Sequence, residues 1–362
     1  MVWRGLPAQG WETILTIKMN RRALVTGAGS MMMAAYASSA IAATTPVLIK
    51  PRRLREGDMV GLIEPAGFTD DAFDLDLVED TIRAMGLKPK RAPHLVDRYG
   101  YLAGKDADRA SDVNAMFADP TISAIFAVRG GWGCARILPL LDWRTIRTNP
   151  KLLIGFSDIT ALHLAVAAKA GFTTIHGPNA SSSWGQYSWD AFRAVAFDGG
   201  TPTLTNPQGH EDRLAQRIGR VRTFGSGIAR GRLLGGNLTV LAALMGTPWL
   251  PDFSGAILFI EDIGEAPYRI DRMLTQLKLG GILDKLAGVA FGQCTDCGAA
   301  GPSYGGFTLS EVLQQHLGPL GIPAFQGGQF GHVANQYSLP LGVQAEMDAT
   351  AGTIRLLEPA VS

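Results

Sequence analysis

The sequence predicts an α/β fold: an N-terminal, mainly parallel sheet with helices on both faces, then a smaller C-terminal α+β domain. Three observations carry this expectation. Short all-apolar runs alternate with helical patterns through the first half, as strands buried on both faces do. Glycine-rich segments stand at the carboxyl ends of those runs, where open parallel sheets bind ligands. Near the end of the chain Val343, Ala345, Met347 and Ala349 alternate with polar residues before Gly352, the pattern of an antiparallel pair.

The elements follow in order. Met59–Ile63 reads as a buried strand that stops at Pro65-Ala66-Gly67. Ala124–Val128 is a second, ending in Arg129-Gly130-Gly131-Trp132-Gly133, and Leu152–Phe156 is a third. Thr173–Ile175 is a fourth, stopping at His176-Gly177-Pro178. From Ser181 to Gly219 the chain is polar, holds Gly199-Gly200, Pro202 and Asn206-Pro207, and shows no sustained period, which reads as an interdomain connection. A glycine-rich strand follows, and Gly235-Gly236-Asn237 opens a helix over Leu238–Met245. Ala256–Ile260 is another all-apolar strand, ending at Glu261-Asp262, and Pro267 starts a helix reaching Leu279. The expected domains are therefore 47–185, a linker over 186–218, and 219–360.

Composition excludes several function classes. A length of 362 residues allows two domains, and 46% apolar with 18% charged residues is a globular balance. A net charge of +1 gives no electrostatic argument for a nucleic-acid partner or an acidic membrane surface. Outside the N-terminal region no apolar run is long enough to span a membrane. That region opens with Arg21-Arg22, continues through a weakly apolar Gly/Ala/Ser/Met run, and ends in Ala40-Ile41-Ala42, an A-x-A cleavage pattern. Residues 1–42 are thus expected to be a twin-arginine-like export signal, with an over-long start before Met19, leaving an exported, periplasmic protein. Ala23–Ser30 also resembles a dinucleotide-binding glycine turn, but Met32 stands where the third glycine belongs.

Ser157 follows a buried strand and precedes Ile159, Leu162 and Val166 at helical spacing. Two readings meet there. It is a nucleophile on a sharp strand-to-helix turn, backed by the positive end of a helix, or it only caps that helix. Cys294-Thr295-Asp296-Cys297 has redox or half-zinc spacing, but no second Cys or His pair completes a metal site, so no metal is expected. The two sulfurs read as buried free thiols, with a disulfide as the alternative.

Several motifs recur in fixed order: Arg129-Gly130-Gly131-Trp132-Gly133, Leu138-Pro139-Leu140-Leu141-Asp142, Gly155–Leu162 and His176-Gly177-Pro178. They continue as Gly235-Gly236-Asn237-Leu238, Glu261-Asp262 before Pro267-Tyr268, and Gly331-His332 before Leu339-Pro340-Leu341-Gly342. In this the chain resembles the LD-carboxypeptidase family, which includes the microcin-C self-immunity peptidases. The resemblance implies a triad of Ser157 as nucleophile, His332 as base and Glu261 as its orienter, in place of an ion pair between Glu261 and Arg269 or Arg272. It implies an acyl-enzyme, no cofactor, and hydrolysis of the amide before a C-terminal D-residue in a murein tetrapeptide. The backbone N–H groups of Asp158 and Gly131 are placed to hold an oxyanion. Arg129 suits the substrate's terminal carboxylate or braces its own loop; Trp132 is a pocket wall or core; His176 ends a strand near the site and is a candidate substrate contact. An amidase for peptidyl-adenylate antibiotics and a non-catalytic murein-peptide-binding protein are the alternatives. The expected partner is a small peptide, and a homodimer is left open.

Overall fold

A computed structural model describes residues 48–207, 214, 219–298 and 306–362. The expected export signal, residues 1–42, lies outside the described residues. Two sheets organise the fold. The first contains β1 (Met59–Ile63), β2 (Lys88–Arg91), β3 (Ile122–Ala127), β4 (Leu152–Gly155) and β5 (Ile175–His176). The second contains β6 (Thr203–Leu204), β7 (Arg222–Gly225), β8 (Ile228–Asn237), β9 (Ile257–Ile263), β10 (Gly288–Thr295) and β11 (Ala324–Gln326). Then β12 (Leu339–Pro340) returns to the first sheet, and β13 (Gln344–Asp348) and β14 (Thr353–Leu356) complete the second.

The first sheet has the order β12-β5-β4-β3-β1-β2. Its five native strands run parallel, and β12 closes the edge antiparallel, pairing Leu339 with His176. All six residues of β3 are buried, which is why the run reads as uninterrupted apolar sequence. β2, with the sequence Lys-Pro-Lys-Arg, was not legible from apolar pattern because it is an edge strand, and charge with proline is how such edges avoid further pairing.

The second sheet has the order β6-β14-β13-β8-β9-β10-β11-β7. Its centre, β8 to β11, is parallel, and its flanks are antiparallel. The expected closing pair is β13 with β14. β9 runs past its apolar stretch to Ile263, so Glu261 lies within the strand. The helix Pro267–Leu279 occupies the predicted span. Among the described residues no helix is long and apolar enough to cross a membrane.

The segment read as connection contains a helix, Gln186–Ala196. Its apolar face is short and built largely from aromatic residues among polar ones, which obscured the period. Phe192 sits at the centre of that face, with ring centroids 5.7 Å from Phe126, 5.2 Å from Trp184 and 6.0 Å from Phe197. Cys294 and Cys297, read as free thiols, are joined by a disulfide; the intervening two residues turn the chain back on itself and bring the sulfurs together. Cys134 remains a buried thiol.

Phe192 is fully buried, so Phe192→Ala should cost about 3–5 kcal/mol. Urea unfolding checks this: the midpoint should fall while the slope stays unchanged.

Candidate active site

Ser157 begins a single 3-10 turn between β4 and the helix Thr160–Lys169. Its φ is +64°, a left-handed conformation that non-glycine residues rarely adopt outside functional turns. The turn is held from several sides. Phe156 N–H donates to Asn179 Oδ1 at 3.1 Å, His163 Nε2 donates to the Gly155 carbonyl at 2.8 Å, and Gly177 N–H donates to that same carbonyl at 3.2 Å. The Asp158 carboxylate accepts from Cys134 N–H at 2.7 Å, which draws the loop of residues 129–133 against the turn. Burial pushes the Asp158 carboxyl up from its ordinary range. The main chain comes so close that a Cβ at Gly130 would stand 2.8 Å from Ser157 Cβ.

Ser157 Oγ lies 3.1 Å from His332 Nε2, and His332 Nδ1 lies 2.8 Å from Glu261 Oε2. With Nδ1–H donated to the carboxylate, Nε2 is the acceptor for the serine hydroxyl. Glu261 is fully buried on β9, and its partner is the imidazole, not Arg269 or Arg272. Arg269 instead pairs with Glu265. The backbone of Gly331 permits this approach: its φ is +103°, and a Cβ there would lie 2.6 Å from Glu261 Oε2. The Phe156 ring packs 4.9 Å from the imidazole and fixes its plane.

These groups open into a cleft of about 840 Å³, whose walls include Thr69, Arg129, Gly131, Asn179, Ser181 and His332. Arg129 is exposed; its Nη1 donates to the Phe68 carbonyl at 2.8 Å, so the same side chain both lines the cleft and braces a loop. Two expectations are corrected. His176 is wholly enclosed and does not line the cleft, because the Phe156 and Phe259 rings pack against its imidazole and β12 pairs along its strand. Trp132 is 43% exposed, so it is not core, and the cleft wall reaches Gly131 of its loop without including it.

Residues not singled out from sequence also shape the site. Asn179 directly follows His176-Gly177-Pro178, and an amide after a Gly-Pro turn at a strand end was the available signal. Glu64 directly follows β1, is 3% exposed, and accepts from Thr69 N–H at 3.1 Å and from the Thr69 hydroxyl. Its neighbour Pro65 hid it inside a turn signal.

Two models for this family match the chain: the LD-carboxypeptidase N-terminal domain over residues 60–177 and the C-terminal domain over residues 230–347. A Bacillus subtilis protein named "Probable murein peptide carboxypeptidase" is 36% identical, covering 86% of this chain and 95% of that protein. The murein tetrapeptide carboxypeptidase of Pseudomonas aeruginosa is 32% identical over 80% of this chain and 92% of its own length. Among solved structures, the wild-type apo microcin C7 self-immunity protein MccF superposes with a TM-score of 0.77 at 26% identity, covering 87% of this chain and all of that one.

Burial pushes Glu64 up to about 7 from an ordinary value of 4.5. Between those two values the folded chain holds a proton that the unfolded chain has released, so stability falls as pH rises through the window. Glu64→Gln should lack this loss. Its stability relative to the parent should improve by on the order of 3 kcal/mol from pH 4 to pH 8, read from urea midpoints at the two values.

Proposed function

The chain belongs to the LD-carboxypeptidase family and is a peptidase hydrolase, and from that premise we propose a serine-type L,D-carboxypeptidase that releases the C-terminal D-residue of murein tetrapeptides. The observation that carries this is the unbroken hydrogen-bond chain Ser157–His332–Glu261 at the cleft wall. His332 Nε2 takes the Ser157 proton as Oγ attacks the carbonyl before the terminal residue. Negative charge develops on that carbonyl oxygen, within reach of the Asp158 and Gly131 N–H groups beside Ser157. The imidazolium, steadied by Glu261, then protonates the leaving amine, and water hydrolyses the acyl-serine by the reverse proton path. Arg129 keeps donors beyond the one given to Phe68, and these suit the substrate's terminal carboxylate.

The likeness to MccF favours a second reading, an amidase acting on peptidyl-adenylates. That substrate offers an aromatic leaving group and no free carboxylate at the scissile end, so Arg129 separates the two readings.

Ser157→Ala or His332→Ala should lower kcat by about 10⁵–10⁶, because the groups act as a unit. Glu261→Gln should cost less, since the base survives in a poorer orientation. Near-normal turnover in Ser157→Ala would sink the assignment. Release of D-alanine from a tetrapeptide should exceed release of D-alaninamide from its C-terminal amide by at least about 10-fold, and Arg129→Ala should shrink the ratio. Faster cleavage of the amide or of an aminoacyl-adenylate analogue would favour the second reading.

A further inference from the structure

The loop that presents His332 is bound to the end of β10. Gln293 N–H donates to the Phe330 carbonyl at 3.1 Å, and Gln293 Nε2 donates to the Gly327 carbonyl at 3.1 Å. The last of these ties is the closest to the base: Thr295 Oγ donates to the carbonyl of His332 itself at 2.6 Å. Thr295 also faces the strand that bears Glu261. It pairs with Ile263 in the β9 ladder, its neighbour Cys294 pairs with Asp262, and its own carbonyl accepts from Gly264 N–H at 2.9 Å. One residue thus joins the strand of the orienting carboxylate to the loop of the base.

Thr295 lies inside a covalent ring. The Cys294–Cys297 disulfide closes around it and Asp296, and Asp296 is held at a φ of +57°, which an open chain seldom keeps. Both sulfur-bearing residues are half-buried and Asp296 is exposed, so a small reductant reaches the ring. The third cysteine of the chain, Cys134, is fully buried, and burial pushes its thiol well up, which leaves it inert toward exchange.

We propose that the Cys294–Cys297 disulfide is a redox-sensitive clamp that holds Thr295 against the His332 carbonyl and so positions His332 for Ser157. Thr295 is a positioning residue: it touches neither substrate nor reacting atoms and acts through the base. In the switching step a dithiol supplies two electrons and two protons, the S–S bond breaks, Cys294 and Cys297 become thiols, and the dithiol leaves as its own disulfide. The ring then opens, Asp296 relaxes, and the hydrogen bond from Thr295 is no longer enforced. The inference rests on the reading of Ser157 and His332 as a reactive pair.

The test uses the full chain, oxidised or treated with dithiothreitol, with reduction verified by alkylation and intact mass. Two quantities are read: the rate at which a fluorophosphonate labels Ser157, and the imidazole NMR signals of His332, assigned by their loss in His332→Ala. Reduction should slow labelling about 3- to 10-fold, the range expected for one hydrogen bond, and should shift the His332 signals; reoxidation should restore both. Thr295→Val should label at the reduced rate whatever the redox state, and Thr295→Ser should recover the oxidised rate together with its sensitivity to reductant. Cys294→Ser with Cys297→Ser should match the reduced parent. If that variant does not fold, the chemically reduced parent decides alone. Verified reduction that leaves the labelling rate and the His332 signals unmoved overturns the clamp, as does Thr295→Val labelling like the parent. Absence of Ser157 labelling in every state would overturn the peptidase reading, and the His332 signals would still decide the clamp.

Discussion

Ser157 and His332 are 175 positions apart in the chain, yet their side chains meet at 3.1 Å. Such a hydrogen bond needs a donor–acceptor distance near ~3 Å and a near-linear angle, so the fold must fix two distant segments to that geometry. Ser157 stands at the end of β4 in the first sheet, and Glu261 stands in β9 of the second. His332 is tied to both. Its loop leaves the second sheet after β11 and enters the first as β12, beside β5. A second joint lies near Ser157, where Asn237 N–H at the end of β8 donates to Thr160 Oγ at 2.9 Å. Sliding of either sheet against the other would pull apart the Ser157–His332–Glu261 contacts, which draw on both.

The strain at Ser157 belongs to the same requirement. A left-handed serine costs roughly 1–2 kcal/mol relative to ordinary backbone. It persists because Asn179, His163 and the 129–133 loop hold its neighbours from three directions. The glycine at 130 is the counterpart on the facing loop: any side chain there would occupy the space in front of the Ser157 hydroxyl. The two positions are coupled, since one loop must lack a Cβ for the other to present its oxygen.

How much of this was legible in the sequence follows from what each residue depends on. β1, β3 and β4 were readable because strands buried on both faces leave continuous apolar runs. The helix Pro267–Leu279 announced itself through its initial proline. β2 and the helix Gln186–Ala196 were not readable, since one is a charged edge and the other buries a narrow aromatic face. Ser157 could be located by its turn, but its partners could not, because nothing local states that β9 and the residue-331 loop converge. Ordered motifs supplied that. His176 shows the limit of positional argument: a strand end near a site is open only if distant segments leave it so, and Phe259 and the neighbouring strand β12 enclose this one.

Three histidines gather around Ser157, and burial sets them apart. His163 is fully enclosed, and burial pushes it down to about 4. His176 is also fully enclosed and is held well below its ordinary value by the same cause, with His163 and His332 adding to the effect. Burial favours the neutral form of both, and each packs inside the core, with His163 donating to the Gly155 carbonyl. His332 differs on two counts: its side chain keeps 17% of its surface open to the cleft, and its Nδ1 faces a carboxylate. A base that must become a cation during reaction needs both a counter-charge and access to the substrate proton. Of these three imidazoles His332 has both, and in the proposed reading it is the one that takes the Ser157 proton.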